Sequence, residues 1–217
     1  METPLSLADI RINYSLKELT VEAVSSDPFK QFGTWMQEAL TAKVEEPTAF
    51  TLSTADAQGK PTARIVLLKA LGPEGFVFYT NYESRKGQQL LENPYAALTF
   101  FWPSLERQVR IEGNVERVPA EASDSYFHSR PRGSQLGAWS SPQSQPIEDR
   151  SVLENLAKEY EAKFSDLDVM PRPPHWGGYL VKPQKIEFWQ GRQNRLHDRL
   201  LYELQPDGTW HLQRLAP

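Results

Sequence analysis

Residues 186–199 read Ile-Glu-Phe-Trp-Gln-Gly-Arg-Gln-Asn-Arg-Leu-His-Asp-Arg, which places Arg192, Arg195, His197 and Arg199 within eight positions. The stretch starts like a strand and breaks at Gly191. If the chain is extended again after the break, Arg195, His197 and Arg199 share one face. Like charges in a row repel. Such a face is either solvated or held by an anion. A phosphate there would sit beside an imidazole able to hold or release a proton near neutral pH. Three other groups have comparable chemistry. Ser84 is a suitable helix N-cap, yet Arg85 and Lys86 follow it, where the helix dipole disfavours cations unless an anion binds. Arg130-Pro-Arg132-Gly-Ser134 puts two guanidiniums and a hydroxyl around a forced bend, with Tyr126 one helical turn upstream. Arg64 and Lys69 bracket the apolar run 65–68. Their odd separation sends them to opposite faces of a strand, and the alternative reading is charges that snorkel from strand ends. One phosphate does not need so many cations, but two phosphorylated small molecules would account for them. Tyr79, Tyr126, Trp139 and Trp189 offer flat surfaces for rings.

These groups need elements to carry them. Asp27-Pro28 starts a helix, and Phe29, Phe32, Trp35, Met36, Ala39 and Leu40 recur as one apolar stripe suited to a core. Alternation and turn residues predict strands over 48–55, 61–70, 76–80, 95–102, 107–118, 177–181, 185–190, 199–204 and 209–214. Asp56-Ala-Gln-Gly59 and Asp207-Gly208 read as hairpin turns. The run 65–68 has the pattern of a strand covered on both faces. Gly113 suits a bulge or a barrel corner, and Gln108 falls on the polar face of its strand. Helices are predicted after Ser84 and over 119–129, 134–139 and 147–164, with a short one over 6–19. The result is eight or nine mostly antiparallel strands with about five helices, which fits a barrel with peripheral helices.

Composition narrows the function. The 217 residues suffice for a sizeable core, and 24 aromatic residues argue against disorder. A net charge of −4 disfavours nucleic acid or an anionic membrane as partner. With no cysteine there is no disulfide framework or thiolate chemistry. His128, His175, His197 and His211 lack metal-ligand spacing, so no metal is expected. Dinucleotide-binding, P-loop and nucleophile-elbow motifs are missing. No signal peptide or membrane-spanning run is visible, and the expected location is cytoplasmic.

Together the motifs resemble the pyridoxamine/pyridoxine 5′-phosphate oxidase family. They are Arg64-Ile-Val-Leu-Leu-Lys69, Phe78-Tyr-Thr-Asn81 with Ser84-Arg-Lys86, Glu106-Arg-Gln-Val109, Tyr126-Phe-His-Ser-Arg-Pro-Arg132, Ser134-Gln, Gly137-Ala-Trp139, Gln143-Ser144, 186–190, Arg195-Leu-His-Asp-Arg199 and the ending Arg214-Leu-Ala-Pro217. The resemblance runs from about Arg11 to the C-terminus. It implies a mainly β, α+β chain folded as an antiparallel FMN-binding split barrel. It implies oxidation of pyridoxamine or pyridoxine 5′-phosphate to pyridoxal 5′-phosphate, with O₂ as acceptor and H₂O₂ as product. It also implies a homodimer with active sites at the subunit interface. On this reading residues 27–217 form one domain, and residues 1–26 form a partly flexible segment that covers the site.

Carried over by motif, the FMN contacts are Arg64, Ile65, Val66, Leu67, Lys69, Tyr79, Thr80, Arg85, Lys86, Gln108, Gln143, Ser144, Trp189 and Arg199. Lys69, Tyr126, Arg130 and Ser134 would hold the substrate phosphate, and Arg195 and His197 would lie over its ring as the catalytic pair. Arg11 and Tyr14 match an Arg-x-x-Tyr that covers the site. The chain departs from the family pattern at Arg192-Gln-Asn194, where Gly-Glu-His is expected. Two rival readings stay open. Another split-barrel flavoprotein with a different substrate would release no H₂O₂ with pyridoxine 5′-phosphate, and a non-catalytic binder would not turn over.

Overall fold

In the computed structural model, residues 13–217 are described. Helix α1 (Pro28–Thr41) starts where expected. The Asp27 carboxylate accepts from the backbone N–H of Phe29 at 2.9 Å and of Lys30 at 3.3 Å, and Pro28 occupies the first turn. Its stripe buries Phe32, Trp35 and Ala39, whereas Leu40 stays 49% exposed. Four further helices follow: α2 (Arg85–Glu92), α3 (Ala120–Ser129), α4 (Arg132–Ser140) and α5 (Arg150–Lys163). Nine strands run β1 (Ala49–Ala55), β2 (Pro61–Leu67), β3 (Ala70–Gly72), β4 (Gly75–Asn81), β5 (Tyr95–Trp102), β6 (Arg107–Arg117), β7 (Trp176–Gln190), β8 (Asp198–Leu204) and β9 (Trp210–Leu215). Their order is β2-β1-β5-β6-β7-β4-β3, with β8 beside β7 and β9 beside β8. The expected class, antiparallel β with peripheral helices, is the one found.

The described residues fall into two compact units. The first takes the chain up to Pro47, Phe100–Arg110 and Lys185–Pro217. Its core is aromatic: Phe32 meets Phe100 at 5.0 Å, Trp35 meets Phe188 edge-on at 5.1 Å, and Phe188 meets Tyr202 at 5.6 Å. The Arg107 guanidinium lies 4.2 Å over the Trp35 ring and pairs with Glu38 at 2.8 Å. The second unit takes Thr48–Thr99 and Ile111–Gln184. Phe50, Leu52, Phe76, Phe78, Leu98 and Ile111 are fully buried there. A second cluster joins Phe127, Ala138, Phe164, Met170 and Trp176. Each such side chain contributes about 1.5–3 kcal/mol by leaving water.

Four expectations are corrected. Residues 61–70 are not one strand. The Leu68 N–H still reaches Thr48 O at 2.8 Å, but the Lys69 N–H bonds Val77 O at 2.8 Å, so the chain changes ladder partner there. The run 65–68 is not covered on both faces: Leu68 is buried, but Ile65 is 65% exposed. The segments 177–181 and 185–190 are one strand, β7, and Pro183 sits between its ladder with β4 and its ladder with β8. Residues 13–19 are not helical, while 6–12 lie outside the described residues. The segment is strapped instead: the Ser15 and Leu16 N–H groups donate to the Glu106 carboxylate at 2.8 and 3.0 Å, and the Leu19 N–H donates to Asp198 at 3.1 Å.

The first unit also holds a buried carboxylate, Glu187, 6% exposed, on β7. It accepts from Arg199 Nε at 2.8 Å and Nη2 at 3.0 Å, and Arg110 adds a contact at 3.4 Å. Glu187→Gln removes the charge and one acceptor oxygen while keeping the shape. We expect it to cost about 1.5–3 kcal/mol, read as a lower urea midpoint at unchanged slope. An unchanged midpoint would show the pair to be energetically idle.

Candidate active site

A cavity of about 540 Å³ lies within the second unit, a size suited to a small-molecule ligand. Strand β2 brings Arg64, Ile65, Val66 and Leu67 to it, β4 brings Tyr79 and Thr80, and helix α2 brings Lys86. Lys69, Tyr126, Arg130, Ser134 and Gln143 complete the wall with Pro131 and Trp176. Arg64 and Lys69 share this cavity although strict alternation would separate them. The change of ladder partner at Leu68–Lys69 resets the side-chain alternation.

Among the described residues four cations line the cavity and no Asp or Glu does. Lys86 is 8% exposed. Among the described residues its Nζ donates to neutral oxygens: Gln143 Oε1 at 2.8 Å, Thr80 Oγ1 at 3.1 Å and Ser84 Oγ at 3.3 Å. Burial, with the Arg64 charge adding to it, pushes the Lys86 ammonium down to about 8. Arg64 is likewise pulled down, by burial first and then by Arg85. Its Nη1 donates to Leu52 O at 3.1 Å and Thr54 Oγ1 at 2.7 Å, and its Nη2 donates to Thr62 Oγ1. Burial also lowers Arg130, whose guanidinium sits 4.6 Å over the Trp176 ring. One of its nitrogens, Nη2, donates to Ser134 O at 2.7 Å, while Nη1 is buried without a partner among the described residues. Buried cations without counter-charge are costly. A phosphate would take up the free guanidinium N–H and neutralise the cluster at once. The cavity therefore fits an anionic group.

The wall is also aromatic. Tyr79 and Tyr126 stack at 3.9 Å, and Tyr79 stacks on Trp176 at 5.6 Å. Burial raises the pKa of both tyrosines, so they stay neutral hydroxyls. Gly178 pairs with Tyr79 across the ladder, and a Cβ there would come within 2.7 Å of the Tyr79 ring. Glycine at this position lets the ring lie flat.

A second group of expected residues meets in the first unit. The His197 ring lies 4.6 Å from Trp189 and 5.7 Å from Tyr14. Its Nδ1 accepts the Arg192 N–H at 3.1 Å. Burial, then the neighbouring Arg195, lowers its pKa. An Nδ1 that accepts an N–H carries no proton of its own, so in this geometry the ring's N–H is on Nε2. Gly191 is required here by close approach: a Cβ would stand 2.7 Å from the Tyr14 ring. Arg192 reaches Glu18 at 2.6 Å, which ties the N-terminal segment to this turn.

The expected row of Arg195, His197 and Arg199 on one strand face is overturned. Asn194 (φ 55°) and Arg195 (φ 63°) are left-handed, a 3-10 turn covers Gln193–Arg195, and β8 begins only at Asp198. Arg195 is exposed on that turn, while Arg199 is on β8 and paired with Glu187. Arg85 is exposed at the start of α2, Ser144 (φ 71°) is exposed after Gln143, and Gln108 is half-buried on β6. Arg11 lies outside the described residues. Arg132 is no phosphate grip: its Nη2 donates to Phe164 O at 2.7 Å.

Sequence reasoning missed Trp176, which follows a proline-rich stretch with no periodic signal. It also missed Thr54 and Thr62, which hold Arg64. Those two were within reach, because the turn at 56–59 sets the register that pairs Thr54 with Thr62 and Leu52 with Arg64.

Comparison with known proteins decides the family. The profile described as "Pyridoxamine 5'-phosphate oxidase" matches residues 36–164, and that of the "Pyridoxine 5'-phosphate oxidase C-terminal dimerisation region" matches residues 176–217. The chain belongs to the pyridoxamine 5′-phosphate oxidase family. A pyridoxine/pyridoxamine 5′-phosphate oxidase of Salinibacter ruber is 58% identical over 212 residues, 97% of this chain and 99% of that one. The Synechocystis enzyme of that name is 55% identical over 213 residues, 98% and 99% of the two chains. Among solved structures, PhzG from Burkholderia lata, in complex with tetrahydrophenazine-1-carboxylic acid, superposes with a TM-score of 0.87 at 29% identity, over 94% of this chain and all of that one. An FMN-binding protein from Nostoc punctiforme, related to pyridoxamine 5′-phosphate oxidase, shares the fold at a TM-score of 0.71 and 18% identity, over 89% of this chain and all of that one. The split-barrel fold expected from the family motifs is the fold of these proteins.

Lys86 gives this family site a measurable pH dependence. Sulfate keeps its charge between pH 7 and 9.5, whereas the ammonium loses its proton near 8. Sulfate affinity is expected to fall by up to about tenfold per unit above that point. The unfolded chain, with a lysine pKa of about 10.4, binds more protons than the folded one in that window, so Lys86 contributes rising stability of the ligand-free protein as pH goes from 8 to 10. Titrating sulfate by its effect on melting temperature at pH 7 and pH 9.5 checks both signs.

Proposed function

We propose that the protein oxidises pyridoxamine 5′-phosphate or pyridoxine 5′-phosphate to pyridoxal 5′-phosphate, with FMN as cofactor and O₂ as electron acceptor. The alcohol and O₂ give the aldehyde and H₂O₂, and the amine also consumes water and releases ammonia. The observation that carries this reading is a cavity that, among the described residues, has four cations, no carboxylate and a free buried guanidinium nitrogen, in a chain of this family. Bound FMN would supply the acceptor for a hydride and the route for two electrons to O₂.

The chain's own residues would bind, orient and neutralise. Arg64, Arg85 and Lys86 suit the FMN phosphate, with Gln143 and Ser144 beside them. Ile65–Leu67, Tyr79, Thr80, Gln108, Trp189 and Arg199 would hold the rest of the cofactor. Lys69, Tyr126, Arg130 and Ser134 would hold the substrate phosphate. Holding both molecules fixed converts hydride transfer into a step between positioned partners. His197, neutral with its N–H on Nε2, can donate a hydrogen bond to the substrate, and Arg195 can stabilise charge that develops during transfer. Residues 27–217 act in this reading as one FMN-binding domain of a homodimer, with active sites at the subunit interface. Residues 1–26, including Arg11 and Tyr14, cover the site.

The test is anaerobic. Each substrate should bleach the flavin band, and readmitted air should restore it with stoichiometric H₂O₂. A protein that binds FMN but is bleached by neither substrate is a different split-barrel flavoprotein. One reduction with no O₂ consumption marks a non-catalytic binder.

A further inference from the structure

Helix α2 contributes twice to the cation cluster. Gln89 lies three residues after Lys86, on the same buried face, and is 5% exposed. Its Oε1 accepts from Thr54 Oγ1 and from Thr62 Oγ1, each at 2.6 Å. Both hydroxyls accept in turn from Arg64, Thr54 from Nη1 at 2.7 Å and Thr62 from Nη2. A hydroxyl has one proton and two lone pairs, and a guanidinium has donors only. Giving both protons to Gln89 leaves only lone pairs facing Arg64. Gln89 is not one of the residues that line the cavity, yet it fixes how both hydroxyls are turned.

We propose that Gln89 is a positioning residue for the anion grip. Through Thr54 and Thr62 it holds Arg64 in place, so that one helix sets Lys86 directly and Arg64 at one remove, both for the phosphate of FMN. This rests on the FMN reading above. The neutral amide matters. A glutamate would accept the same two hydrogen bonds, but its charge would neutralise Arg64 in place of the ligand's phosphate.

The test uses the full-length protein stripped of cofactor, with Gln89→Leu, Gln89→Glu and Thr62→Val. Affinity for FMN and for riboflavin, which lacks the phosphate, is read from quenching of flavin fluorescence. Gln89→Leu and Thr62→Val should each weaken FMN by about 5–20-fold and riboflavin by less than twofold. The double variant should be little worse than the stronger single, because both break one chain of bonds. Gln89→Glu should weaken FMN at least as much as Gln89→Leu while keeping the melting temperature of the parent. Equal losses for FMN and riboflavin would reduce Gln89 to a packing role and overturn the proposal, as would unchanged FMN affinity. If Gln89→Leu does not fold, Thr62→Val decides, since Thr62 is only half-buried. A parent protein that binds no FMN would instead overturn the cofactor reading. The same variants titrated with sulfate then decide whether Gln89 serves Arg64.

Discussion

Replacing Lys86 with methionine is expected to make the cofactor-free protein more stable and its hold on FMN weaker. The two effects share one cause. The ammonium is buried among neutral oxygens and faces Arg64, so the folded state is strained until an anion arrives. Methionine keeps most of the side-chain volume and removes the charge. Exchanges of buried charge for apolar groups can stabilise by about 1–4 kcal/mol, and the 8% exposure that Lys86 keeps places this one at the low end. Thr80 and Gln143 keep their own hydrogen bond at 3.1 Å, so the loss of Nζ leaves few groups stranded. Against that, an FMN phosphate held by Lys86 would lose a charge-assisted partner. That is worth about 1.5–3 kcal/mol, or about ten- to a hundredfold in Kd. Calorimetry of the stripped protein and a fluorescence titration with FMN read the two halves separately. A variant that melts lower and binds FMN as before would remove Lys86 from the site.

The second large effect is expected at Arg130. Its guanidinium is held over Trp176 and by Ser134 O, with Nη1 left free, so it is placed before any ligand binds. Arg130→Met keeps an unbranched side chain against the indole and loses the charge. If Arg130 grips the substrate phosphate, that contact is made equally in ground and transition states. KM for pyridoxamine 5′-phosphate should then rise by about ten- to a hundredfold while kcat changes little. FMN affinity should stay as it was. A fall in kcat at constant KM would move Arg130 from binding to chemistry, and a loss of FMN would move it to the cofactor.

Local signals carried much of the fold. Asp27-Pro28 capped α1 as written, because an N-cap acts on N–H groups two and three residues away. The turn at 56–59 closed its hairpin, with Gly59 at φ 76°. Ser84 capped α2 by accepting the Gly87 N–H, and so set its start. In these cases the deciding contacts span only a few residues. The family motifs added the residues that line the cavity, and twelve of its fourteen wall residues were legible in that way.

What failed was long-range. The three-residue row from Arg195 to Arg199 obeyed a period of two only on paper, because left-handed backbone at Asn194 and Arg195 ends the alternation. Arg132 looked like its neighbour Arg130, but α5 ends close by and offers Phe164 O to it. Ile65 looked like core, yet its face of β2 is left open and it is 65% exposed. The sequence by itself determined the class of fold, the family motifs and the supply of cations. The tertiary structure alone decided which cations converge, which are already neutralised by a carboxylate such as Glu187, and which keep a free donor. The physical reason is that turns and caps are written in neighbouring residues, whereas charge compensation depends on groups brought together from distant parts of the chain.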